Sequence, residues 1–148
     1  MMHFLEGPVL HLLLASLLLS GCGGDAPQNP AEADHTYGAA VDPTDAIPVP
    51  VVAAEAARHG GQRVTVDGRI AGVARDGCTL HLATDTGPPL RVDAARTGTD
   101  TCAWQVPAGT DGFAVAAGTL RTAADTLRLT ANGVQVTPLR SSGGNPAP

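Results

Sequence analysis

The stretch "RVTVDGRIAGVA", Arg63 to Ala74, limits what this chain can fold into more than any other. Val64, Val66 and Ile70 share one parity, the spacing that puts every second side chain on one face of a β-strand. Val73 has the opposite parity, so a bulge or bend is expected at Ala71-Gly72. The same period then recurs along the chain. "CTLHLA" sets Cys78, Leu80 and Leu82 against Thr79, His81 and Ala83. "TDTGPP" reads as a turn, "LRVDA" alternates again, and "CAWQV" puts Cys102, Trp104 and Val106 on one face. "FAVAAGTLR", "LRLTA" and "GVQVTPL" follow, with Asp125 in a turn. One bent strand followed by four or five shorter ones predicts a mainly β fold that closes into a small barrel, with an open sandwich as the rival.

Ahead of these strands, "VPVVAAEAARHGG" (Val49 to Gly61) predicts one short helix. Pro50 suits its first turn, alanines carry high propensity, and Gly60 or Gly61 can supply a left-handed cap. Arg58 and His59 fall in the last turn, where positive charge meets the negative end of the helix. The whole chain of 148 residues has two Phe, one Tyr and one Trp, so Val, Leu and Ala must fill the core. All nine basic residues are arginines and the formal charge is −5. That balance, with so few aromatics, lacks both the neutralising charge and the stacking platforms of a nucleic-acid binder, so no nucleic-acid partner is expected.

The N-terminus carries a different signal. "VLHLLLASLLLSG" (Val9 to Gly21) is apolar, too short to span a bilayer comfortably, and ends in small residues. Leu19-Ser20-Gly21-Cys22 resembles the lipobox of bacterial lipoproteins. The resemblance implies a signal peptide over 1–21 and a diacylglyceryl group on the Cys22 thiol. Several acyl chains hold a protein on a membrane essentially permanently. Gly23, rather than Asp, after the lipid site implies passage to the outer membrane, facing the periplasm, in a cell with two membranes. The segment "MMHFLEGP" departs from the pattern, having Glu6 and neither Lys nor Arg. Residues 22–36 then read as a flexible tether, 37–139 as the folded domain and 140–148 as a disordered tail.

Three segments together resemble the small bacterial lipoproteins of domain-of-unknown-function family 4920. They are "YGAAVDPTDAIPV" (Tyr37 to Val49), "GQRVTVDGRIAGVARDGCTLHL" with its terminal Gly-Cys, and "AWQVP". The resemblance covers nearly the whole folded part and implies an OB-like barrel of five to six strands. Ala74 stands where that family has a cysteine, so paired-cysteine chemistry at that position does not carry over.

With Cys22 acylated, Cys78 and Cys102 remain, both expected to point inward. Outside the cytoplasm a disulfide between them would close a loop of about twenty-five residues, worth roughly 3–4 kcal/mol on the chain-entropy account. Two free buried thiols are the second possibility. The third is a copper or zinc site built from Cys78, His81 and Cys102, with His59 as a further ligand, although strand alternation turns His81 away from Cys78. No hydrolase, zinc-protease or phosphate-loop motif is present. The function expected is therefore a non-enzymatic binding or accessory module held on the membrane by its lipid. Its candidate binding face is Thr79, His81 and Trp104, and its partner a protein, peptide, glycan or small ligand. Trp104 has a competing reading as core. The alternative function is a metal-binding or redox-active envelope protein.

Overall fold

Two long strands organise the fold, and each does so by changing partner halfway along. The computed structural model describes residues 34–139. In it β3 (Arg63–Val73) pairs along one edge first with β2 (Ile47–Pro48), in parallel, and then with β4 (Thr79–Leu82). β9 (Thr126–Pro138) pairs first with β5 (Leu90–Ala94), in parallel, and then with β1 (His35–Gly38). The other edges of β3 and β9 are joined through β8 (Gly112–Ala123). The circuit β3-β4-β5-β9-β8-β3 is thus a closed five-stranded barrel of OB-like order.

Each long strand carries an extra residue close to its change of partner. Ile70 faces Leu82 and Gly72 faces His81, so Ala71 is the inserted residue at the expected bend. Val64, Val66 and Ile70 are buried on one side of it, as the parity requires. Gly118 faces Ala131 and Ala117 faces Gly133, leaving Asn132 as the insertion in β9. "LRLTA" and "GVQVTPL" are therefore one bent strand, where the sequence predicts two. At that bend the chain needs glycine: a Cβ on Gly118 would strike the Thr130 carbonyl, and one on Gly133 the Ala39 carbonyl.

Leu80, Leu82, Leu90, Leu120 and Leu129 fill the barrel, with Ala114, Ala116 and Ala131 where less room remains. Burying one such leucine is worth about 1.5–3 kcal/mol. One mouth is covered by α1 (Val49–Ala54) and α2 (Ala56–His59), which interrupt the expected single helix at Glu55. Pro50 does sit in the first turn, and Val49 and Val52 are fully buried. Gly68 lets Val49 come close to β3: a Cβ there would lie 3.0 Å from a Val49 methyl carbon. Of the two cap glycines it is Gly61, at φ 79°, that takes the left-handed conformation.

The other mouth is covered by the segment between β5 and β8. It begins as a small hairpin, β6 (Arg96–Thr97) with β7 (Thr101–Cys102), and continues irregularly through Trp104 and Val106. "CAWQV" is thus strand only at its first residue, although its burial still alternates. The expected tether gives way to β1 at His35, where the Gln135 amide and the Thr137 hydroxyl donate to the Asp34 carboxylate just before it. Cys22, the apolar leader and the tail over residues 140–148 lie outside the described residues.

Candidate functional site

Alternation in β4 sends Leu80 and Leu82 inward and Thr79 and His81 outward. Its neighbour β5 does the same with Leu90, Val92 and Ala94 against Arg91 and Asp93. Because Thr79 faces Asp93 and His81 faces Arg91, four polar side chains share one outer patch. Parallel pairing with β9 adds Arg128 beside Arg91.

Asp93 is the hub of the patch. Its carboxylate accepts from Thr79 Oγ1 at 2.9 Å, Arg91 Nε at 2.8 Å and Arg128 Nε at 2.5 Å. Partial burial pushes the Asp93 carboxyl upward, but the bonds from Arg91, Thr79 and Arg128 and the Arg91 charge outweigh it. The group is held below the ordinary carboxylate range. Arg91 and Arg128 remain about half exposed, at 44% and 51% of their side-chain surface. Each spends its Nε–H on Asp93 and leaves the outer edge of its guanidinium facing solvent. The result is a fixed pair of forked donors suited to a carboxylate or phosphate.

Thr79 and His81 therefore lie where a binding face was expected. Trp104 does not. It is 3% exposed and donates its indole N–H to the Ala131 carbonyl at 2.9 Å, so it caps the barrel interior.

The sulfurs of Cys78 and Cys102 are bonded to each other, with Cα atoms 5.9 Å apart. The bridge ties the β3–β4 turn to the segment that carries Trp104. Around it Val106 N–H donates to the Gly77 carbonyl and Ala103 N–H to that of Ala95. The metal set of Cys78, Cys102, His81 and His59 does not assemble. The two sulfurs satisfy each other, and His81 projects from the opposite face of β4. His59 lies in the last turn of α2, as expected, with its Nε2 3.4 Å from a Glu55 carboxylate oxygen. Among the described residues no group of three or more His, Cys, Asp or Glu side chains could hold a metal ion.

Asp93, Arg91 and Arg128 escaped the sequence reading. The repeated "LRVDA" and "LRLTA", each placing Arg next to an inward Leu, carried the signal. What the sequence lacked was the parallel pairing of two strands 35 residues apart that brings them together. A cleft of about 390 Å³ also opens at the helical mouth, between Ala53, Ala57, Thr84 and Thr122, but of its lining only Asp125 is charged. No protein family, curated protein or solved structure matches the chain.

Proposed function

We propose that this chain is a bacterial envelope lipoprotein of the family 4920 type, anchored through Cys22, whose barrel is a non-enzymatic binding module. The observation that carries the binding reading is the Asp93 hub. It fixes two half-exposed guanidinium groups beside Thr79 and His81, on a rigid sheet, before any ligand arrives. Preorganised donors of this kind lower the ordering cost of binding. The patch pairs cations with an acceptor already saturated by them, which suits holding a ligand rather than transferring a proton to it.

Two features support placement outside the cytoplasm. The Leu19–Cys22 box offers a thiol for acylation behind an apolar run. The Cys78–Cys102 bridge belongs with an oxidising compartment. Gly23 favours the outer membrane, with the barrel in the periplasm. A photo-crosslinking residue at position 81 of the full chain, in living cells, should trap a partner that the same residue at position 58 on α2 does not. Equal or absent trapping at both positions would count against the binding face.

A further inference from the structure

The basic groups of the outer face form one unbroken row. His81 on β4 faces Arg91 on β5, Arg91 faces Arg128 on β9, and Arg128 faces Arg121 on β8. All four follow or precede buried inward residues, so all four point outward. Neighbouring strands are about 4.8 Å apart, so the row runs roughly 14 Å across the sheet. A second row lies beside it: Thr79 faces Asp93, Asp93 faces Thr130, and Thr130 faces Thr119, which faces Arg63. Four of the nine arginines thus gather on one face of a chain whose formal charge is −5.

This concentration works against folding. Arg121 and Arg128 stand directly opposite, as do Arg91 and Arg128, and like charges so placed destabilise a sheet. Asp93 offsets Arg91 and Arg128, and among the described residues Arg121 has no carboxylate within 4.0 Å. Arg121 is thus left without a carboxylate, and Arg91 and Arg128 share a single one while staying about half exposed, so the row carries excess positive charge that calls for an anionic ligand. Its composition narrows which one. The two rows contain only Arg, His, Thr and Asp, with no Phe, Tyr or Trp to give successive bases a stacking platform and no apolar side chain to enter a membrane or another protein's core. A line of forked donors at strand spacing, flanked by threonine hydroxyls, matches a polymer with one carboxylate per sugar unit and hydroxyls between.

We infer that the outer face of β4, β5, β9 and β8 binds an acidic polysaccharide, with Arg91, Arg128 and Arg121 on successive carboxylates and Thr119 and Thr130 on sugar hydroxyls. The inference rests on the binding-face reading above and names its ligand class. The test uses the full chain in non-ionic detergent with alginate oligomers, a polyuronate, at low and moderate salt. Alginate should bind, neutral dextran should not, and affinity should fall as salt rises. Arg91→Gln and Arg121→Gln should each weaken binding at least fivefold. Arg58→Gln, the same charge change on α2, should leave it unaltered. Arg121→Gln should melt no lower than the parent, because it relieves the repulsion at Arg128. Alginate binding no better than dextran would overturn the inference, as would equal weakening by Arg58→Gln. Tighter binding of polyphosphate or phosphatidylglycerol vesicles than of alginate would overturn it too. Crosslinks persisting at position 81 without alginate binding would sink the polysaccharide and leave the binding face standing, whereas loss of both would remove both.

Discussion

Breaking the Cys78–Cys102 bridge tests how this barrel is held shut. The two residues are 24 positions apart, so the closed loop is about twenty-five residues long and the chain-entropy relation gives it about 3.5 kcal/mol at 25 °C. A small domain has only about 5–15 kcal/mol in total, so the bridge is a large share. At roughly 4–8 °C per kcal/mol for a domain near 100 residues, the Cys78→Ala/Cys102→Ala variant should melt about 14–28 °C lower. Reducing the parent protein should give a similar drop without altering volume in the core, and agreement between the two routes would exclude a cavity effect. Because the constraint acts on the unfolded chain, the denaturant m-value should rise when the bridge is lost, as the freed chain exposes more surface. Thermal and urea unfolding by circular dichroism measure both quantities. A melting shift below about 3 °C with unchanged m would refute the reasoning and leave the bridge a bystander.

Trp104→Phe keeps an aromatic side chain but removes the indole N–H that the Ala131 carbonyl accepts and part of the buried ring, and should cost about 1–3 kcal/mol in urea unfolding; an effect under about 0.5 kcal/mol would mean the mouth is closed by something else. Gly133→Ala puts a methyl into the Ala39 carbonyl and should cost about 1–3 kcal/mol or displace β1, seen as loss of amide protection at Ala39, which donates to Asn132; a neutral result would contradict the close approach. Acid should also weaken the fold through Asp93. Its folded carboxyl is held below the ordinary range by Arg91, Thr79 and Arg128 against the effect of burial, so its contribution is complete above the unfolded pKa of about 3.9 and is lost as pH falls through the folded value. The stability gap between the parent and Asp93→Asn should therefore narrow between pH 6 and pH 2.5, and a gap independent of pH would show that the hub does nothing for the fold.

The fold was legible where side chains alternate and illegible where distant strands meet. Val64, Val66, Ile70 and Val73 announced both the first strand and its bulge, because one face of a barrel strand must be apolar and an inserted residue shifts the parity. Period alone could not join "LRLTA" to "GVQVTPL", since the inserted Asn132 resets the phase just as a turn would. Glu55 interrupts a helix that propensity would have continued, and nothing local marks the break. Of the candidate site, Thr79 and His81 were turned outward by alternation, and Trp104, open to a binding-face and a core reading, proves to be core, on the inward parity it shares with Val106 in "CAWQV". The arginine row was invisible. It exists only through the pairing of β5 with β9 and of β9 with β8, which adjacent residues do not encode.

The mature N-terminus and the state of the two remaining cysteines can be read together from native protein, extracted under acid-trapped alkylation and analysed by mass spectrometry. A lipid-anchored barrel closed by its disulfide should give a chain that starts at Cys22 with fatty acyl chains on it, and a Cys78–Cys102 peptide pair that resists alkylation until reduced. A chain starting at Met1, without lipid and with Cys78 and Cys102 both alkylated, would contradict that expectation.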